Sequence, residues 1–172
     1  MGAGPQLLTL EEFRLRYVNE KPYFEYWFGE AVQKVAATTA HGVLQAMLCK
    51  FLDRAGYRTA PEVELRIDPN WQPVPDVLAS LLRLESPYPT KLVEVVMEVL
   101  SPTDAMSLVH EKCQNYERIG FKQIFVLDPE SRKGWEWSRA TQNLERIDAL
   151  RLTNGKYIVL ADVWQELDKE LQ

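Results

Sequence analysis

Three residues stand where their chemistry does not match their neighbours. Glu98 lies inside Leu92-Val93-Glu94-Val95-Val96-Met97-Glu98-Val99-Leu100, a run that is otherwise apolar except for Glu94. An ionised carboxylate there is costly unless it is paired or coordinates a metal. Glu98 therefore either meets solvent or an arginine at a sheet edge, or serves a site. It sits two residues before the end of the run, where α/β sheets usually place ligands. Lys112 belongs to the stretch 104–119. At about 100° per residue, Met106, Leu108, Val109, Cys113, Tyr116 and Ile119 fall on one apolar arc, and Lys112 points into its middle. Such a lysine either snorkels to the rim or serves a site. Asp76, in Val74-Pro75-Asp76-Val77, interrupts a further apolar stretch directly after a proline, as a turn aspartate also would. Two carboxylates on adjacent strands and one inward lysine make the set that metal-assisted phosphodiester hydrolysis needs. Carboxylates hold Mg²⁺, a hard cation that prefers oxygen ligands. The metal polarises a phosphate oxygen and acidifies water, and the lysine stabilises negative charge on the attacking hydroxide or the transition state.

These residues need elements to bring them together. Residues 92–100 read as a central strand, apolar on both faces. Ser101-Pro102-Thr103-Asp104 then opens a helix to about Ile119, with Pro102 at its first position and Asp104 completing a capping box with Ser101. Gly120 ends it. Strand and helix are consecutive, so Glu98 and Lys112 converge if the helix turns its apolar arc to the strand. Residues 74–82 form the strand that carries Asp76, entered through Pro73 and Pro75. Val63, Leu65 and Ile67 alternate with charged residues as in a half-exposed strand, and Asp68-Pro69-Asn70 makes a turn. Upstream, Thr9 caps a helix to about Asn19, with Glu12 closing the capping box. Residues 22–28 and 31–36 form two strands around the turn at Gly29-Glu30, and residues 40–55 have helical spacing that stops at Gly56. Downstream, residues 123–127 read as a buried strand. Trp135, Trp137, Leu144 and Ile147 mark short antiparallel strands, and Asn154-Gly155 turns the chain. Residues 158–160 are a last strand and 161–171 a closing helix. The order predicts an α/β (α+β) fold with a mixed central β-sheet flanked by helices.

The bulk numbers agree. The 172 residues suit one domain with one core, and 46% apolar with 26% charged residues is ordinary globular composition. No apolar run reaches the roughly 18 residues of a membrane span, and Met1-Gly2-Ala3-Gly4-Pro5 shows no secretory signal. Cys49 and Cys113 are the only cysteines, which gives neither a zinc spacing nor a disulfide framework; a reducing cytoplasm fits. The net charge of −5 excludes a broadly basic, DNA-tracking surface. It allows local, metal-assisted binding, because clustered carboxylates carry charge that an ion neutralises. The tryptophans are spread along the chain and form no stacking platform.

On these motifs the chain resembles the Uma-two family of restriction endonucleases, within the PD-(D/E)xK nuclease superfamily. The matching stretches are Pro75-Asp76-Val77, then Val96-Met97-Glu98-Val99-Leu100-Ser101-Pro102-Thr103-Asp104, then Glu111-Lys112 with Tyr116 and Gly120, then Phe125-Val126-Leu127-Asp128-Pro129. Phe24-Glu25-Tyr26-Trp27-Phe28-Gly29-Glu30 is similar to the family's early Glu-containing hairpin, and His41 to its histidine at the start of the next helix. The resemblance covers about residues 9–165. It implies a restriction-endonuclease-like core, with Asp76 and Glu98 as metal ligands, the Val99 carbonyl as a third, and Lys112 as the catalytic lysine. It further implies Mg²⁺, with Mn²⁺ as a substitute, DNA as substrate, and a homodimer, which symmetric cutting of two strands would use.

Two departures stand out. Glu98-Val99-Leu100 has leucine where the superfamily's usual motif has lysine, so the role falls to Lys112 on the following helix. Val74 stands where the family often carries arginine. Glu25 is either a further carboxylate near the metal or a cross-strand charge, and His41 either a phosphate contact or a structural residue at a helix start. Glu94 ranks below Glu98, Asp104 reads as a cap and Tyr116 as core packing. A competing reading keeps the nuclease fold as a catalytically inactive DNA-binding or protein-interaction module, which the acidic charge favours. A third is a metal-free structural domain, with Lys112 snorkelling and Glu98 facing solvent.

Overall fold

The computed structural model describes residues 7–172, so residues 1–5, read for a secretory signal, lie outside the described part. In chain order the elements are α1 (Leu10–Tyr17), β1 (Phe24–Trp27), β2 (Glu30–Gln33), α2 (Thr39–Arg54), β3 (Arg58–Pro61), β4 (Trp71–Gln72), β5 (Val77–Ser80), β6 (Val95–Val99), α3 (Met106–Ile119), β7 (Gln123–Asp128), β8 (Lys133–Ser138), β9 (Asn143–Ile147), β10 (Ala149–Arg151), β11 (Tyr157–Val159) and α4 (Leu160–Glu170).

A strand as apolar as β6 has to be covered on both faces, and it lies inside a six-stranded sheet of order β3-β5-β6-β7-β8-β9. It pairs parallel with β7 and antiparallel with β5; the other pairs are antiparallel. A parallel pair needs a crossover connection, and α3 supplies it. Successive side chains of a strand point to opposite faces, so β5, β6 and β7 feed two separate cores. Val77, Ala79, Val95, Met97, Val99, Phe125 and Leu127 pack with Leu44, Met47, Leu48 and Leu52 of α2 and with Leu160, Val163 and Leu167 of α4. Leu78, Val96, Ile124 and Val126 pack on the other face with Cys113 and Tyr116 of α3, Trp71 and Phe121. A smaller antiparallel sheet of order β2-β1-β4 and the pair β10-β11 complete the architecture. The mixed central sheet with flanking helices is the fold class that the order of elements predicts.

Local chemistry accounts for the helix ends. At α1 the capping box forms as expected: Thr9 Oγ1 accepts from the Glu12 N–H at 3.2 Å, and the Glu12 carboxylate accepts from the Thr9 N–H at 2.8 Å. Thr38 caps α2 by accepting from the His41 N–H at 3.2 Å. Gly120 ends α3 with φ +111°, and a Cβ built there would lie 2.8 Å from Leu92 Cδ1. Left-handed backbone costs an L-residue about 1–2 kcal/mol. Gly120→Ala is therefore expected to lower stability by about that amount, read as a lower urea midpoint at unchanged slope.

The strands β3, β4 and β10 are not anticipated from the sequence, and two predicted elements differ in kind or extent. The helix after β6 starts at Met106, not at Pro102 behind a Ser101 cap. Asp104 Oδ2 accepts from the Ser101 N–H at 2.6 Å and Ser101 O from the Asp104 N–H at 3.0 Å, which closes a free-standing turn before the helix. Met106 and Leu108 thus fall in a first turn beyond the sheet and are 48% and 44% exposed, leaving Val109, Cys113, Tyr116 and Ile119 to pack against the core. The alternating segment Val63, Leu65, Ile67 is irregular rather than a strand. Its N–H groups at Leu65 and Arg66 donate to the carbonyls of Pro73 and Pro89. Prolines have no N–H to return, so no ladder propagates.

Candidate active site

Glu98 is the fourth residue of β6 and its side chain faces α3. Lys112 and Tyr116 stand four residues apart on α3, hence on one face of it. Lys112 Nζ donates to Glu98 Oε2 at 2.9 Å, and the Tyr116 hydroxyl donates to Glu98 Oε1 at 2.6 Å. From the small sheet β1 brings Glu25. Its Oε1 accepts from Lys112 Nζ at 2.7 Å and from the Val74 N–H at 2.8 Å, and its Oε2 accepts from Trp27 Nε1 at 2.8 Å. Glu98 and Lys112 are each 7% exposed. That excludes the reading in which Glu98 faces solvent and Lys112 snorkels. Lys112 has three donors, and two of them are engaged here.

Asp76 lies directly before β5. The β5–β6 ladder begins at Val77 opposite Met97, so beyond it the Val99 N–H has no strand partner from β5. Asp76 Oδ2 takes that place and accepts from the Val99 N–H at 2.7 Å. Oδ1 points the other way, 2.9 Å from Lys34 Nζ and 3.4 Å from His41 Nε2. Lys34 follows β2 and also donates to the Val74 carbonyl at 2.9 Å and to both Glu62 oxygens at 3.2 and 3.3 Å. His41 Nδ1 is 3.1 Å from Ser101 Oγ. Gln45 of α2 donates to the Asp76 carbonyl at 2.7 Å. A cavity of about 180 Å³ opens onto this end of the sheet, walled by Trp27, Val32, Leu108 and Val109 and floored by Asp76, Glu98 and Lys112. His41, Glu62 and Asp76 each offer a ligand atom within 4.8 Å of the others, a geometry that could hold a metal ion.

The charges are set by these contacts. Burial opposes ionisation of Asp76, but the His41 contact and the Lys34 ammonium outweigh it and hold the carboxyl well below the usual carboxylate range. Burial pushes Glu98 up to about 7, against the pull of Lys112. Burial also works against the Lys112 charge, but Glu25 and Glu98 more than compensate and raise it above the ordinary lysine value. Lys112 is thus cationic at neutral pH.

Six candidate residues read from the sequence reach this one end of the sheet: Asp76, Glu98, Val99 and Lys112, together with Glu25 and His41. Glu94 does not; its carboxylate accepts from the Leu81 N–H. Sequence reasoning passed over Lys34, Glu62 and Gln45, and took Tyr116 for packing alone. A signal for Lys34 existed. Glu25 pairs with Val32 across the β1–β2 hairpin, and alternation places residue 34 on that same face. Tyr116 stands one helical turn from Lys112. Nothing local marks Glu62.

A mixed sheet with a helical crossover between its parallel strands, and carboxylates and a lysine gathered at one end, is the fold of the restriction-endonuclease-like nucleases. Residues 10–167 match the Uma2 family, described as "Putative restriction endonuclease", and the chain belongs to that family. A crystal structure from Anabaena variabilis, described as a "putative nuclease belonging to DUF820", is similar with a TM-score of 0.75 and 19% identity, covering 93% of this chain and 99% of that one. The cryo-EM structure of the DrdV–DNA complex gives a TM-score of 0.40 at 14% identity, over 74% of this chain and 11% of that one. No curated protein matches. Among the described residues no helix is long and apolar enough to cross a membrane.

Proposed function

We propose that the chain is a single-domain, metal-dependent endodeoxyribonuclease that hydrolyses phosphodiester bonds, acting in the cytoplasm as a homodimer. One observation supports this most directly. Four carboxylates, Glu25, Glu62, Asp76 and Glu98, engage only two lysines, Lys34 and Lys112. With all four ionised and His41 neutral, as a bound dication would favour, two negative charges remain, which matches the charge of that ion. The donors are chiefly carboxylate oxygens, which suit Mg²⁺, with Mn²⁺ as a substitute.

Asp76 and Glu98 would hold the ion, joined by the Val99 carbonyl. In an extended strand a residue's N–H and C=O face the same neighbour, and the Val99 N–H faces Asp76. When bound, the ion supplies a Lewis acid that polarises the phosphate and lowers the pKa of water. Lys112 keeps a donor for the reacting oxygens and would stabilise the attacking hydroxide or the transition state. Glu25 is a positioning residue, because it holds Lys112 and is itself fixed by the Val74 N–H and Trp27. Tyr116 orients Glu98, and His41 steadies Asp76. DNA as the substrate rests on the family's description as a restriction endonuclease. A homodimer would set two such sites against the two strands of a duplex.

The test is cleavage of supercoiled plasmid in Mg²⁺, in Mn²⁺ and in EDTA, with Glu98→Gln beside the parent protein. Nicked and linear products are expected with either metal, and none in EDTA or with the variant. Equal cleavage by parent and variant would assign the activity elsewhere. The net charge of −5 favours a second reading, a non-catalytic module with the same fold. That reading prevails if millimolar Mn²⁺ neither supports cleavage nor raises the melting temperature.

A further inference from the structure

Asp76 has two faces. Oδ2 accepts from the Val99 N–H of β6. Oδ1 faces Lys34 and His41, and Glu62 and His41 each offer a ligand atom near it. A cation already stands beside Oδ1. Lys34 Nζ stands 2.9 Å from Asp76 Oδ1, 2.9 Å from the Val74 carbonyl and 3.2–3.3 Å from the two Glu62 oxygens, with only 15% of its side chain exposed. An ammonium has three donors and no acceptor, and here it meets only oxygens, as a metal ion would. His41 adds a nitrogen on the same side. Its Nδ1 is occupied by Ser101 Oγ, so Nε2 is the atom turned toward Asp76 Oδ1.

We propose that Lys34 is a built-in substitute for a second divalent ion, with Asp76 bridging the ammonium on one side and the catalytic metal on the other. This rests on the metal-dependent reading of the site. Two-metal phosphodiesterases use a shared carboxylate between ions about 3.5–4 Å apart. Here a covalently tethered charge holds one of the two positions. It explains the charge balance: two lysines and one divalent ion match four carboxylates. Removing the Lys34 charge should open a second metal position made by His41, Glu62 and Asp76.

The experiment counts Mn²⁺ bound per chain, by calorimetry and by the loss of the free-ion paramagnetic resonance signal. The proteins are the parent, Lys34→Gln, the double variant Lys34→Gln/Glu62→Gln, and Glu62→Gln alone. One ion is expected for the parent, two for Lys34→Gln, and one again for the double variant. Glu62→Gln alone should still bind one Mn²⁺, more weakly for the loss of one nearby charge, since Glu62 contacts Lys34 and is not placed as a ligand of that ion. Glu62 is exposed, so this variant reads out even if Lys34→Gln does not fold. Two ions in the parent, a single ion in Lys34→Gln, or no ion in Glu62→Gln where the parent binds one would each overturn the assignment of Lys34 while leaving a metal-dependent site in place. No Mn²⁺ bound by any of the four would overturn the metal reading itself, and the role of Lys34 with it.

Discussion

Lys112→Met should destabilise the protein by about 3–5 kcal/mol at pH 8, a fall of roughly 10 °C in melting temperature for a chain of this size. It should also lower the rate of plasmid cleavage by about a hundredfold or more. The methionine replaces the aliphatic stem, so the packing beside Cys113 and Val109 changes little. The loss is electrostatic: Glu25 Oε1 and Glu98 Oε2 give up a shared cation at 2.7 and 2.9 Å in a buried site. Two carboxylates then face one another without it. A proton can relieve them, and Glu98, already pushed up to about 7 by burial, takes one first. The deficit relative to the parent should therefore shrink when both are unfolded in urea at pH 5.5. A lysine that merely snorkelled would give the opposite sign, and a Lys112→Met protein more stable than its parent at pH 8 would refute the ion-pair account.

Glu98→Gln should separate stability from activity. Burial favours the protonated carboxyl of Glu98 in the folded state, whereas an unfolded glutamate titrates near about 4.3. Its folded pKa is raised, so the favourable contribution is complete below about 4.3 and is lost as pH rises through about 7. Glutamine copies the protonated form at every pH. Its oxygen can take the Lys112 donor and its amide can give to Tyr116. In EDTA the variant should match the parent near pH 4 and exceed it by on the order of 2 kcal/mol at pH 8. Cleavage should nonetheless fall by about a hundredfold or more, because the neutral amide weakens the hold on a metal. Thermal melts across this pH range decide the matter. A variant less stable than the parent at pH 8 would mean that Lys112 already compensates the buried charge in full.

The path from sequence to site was uneven, for physical reasons. Glu98 and Lys112 were legible because each breaks a periodic apolar pattern, and both patterns survive folding as β6 and α3. The Thr9 capping box and the Gly120 stop were legible because they are closed within a few residues. Asp76 was visible mainly through its family motif, because its role depends on where the β5–β6 ladder ends, which only the paired register defines. Lys34 reaches Asp76 across 42 residues and Lys112 reaches Glu25 across 87. Such distances leave no periodic trace. The start of α3 was misplaced for a different reason: Ser101 and Asp104 satisfy each other in the same way whether they open a helix or close an isolated turn.

The strands that carry this site are also a partition. β5, β6 and β7 wall the α2–α4 core off from the α3 core, and the two sets of packed side chains are distinct. A substitution in one compartment can reach the other only through the strand backbones, so repacking changes made on the two sides should combine additively. An engineer wanting a more heat-tolerant version of the domain thus has two independent interiors to improve. The rim at Asp76 and Glu98, where both compartments end, is the one region to leave untouched.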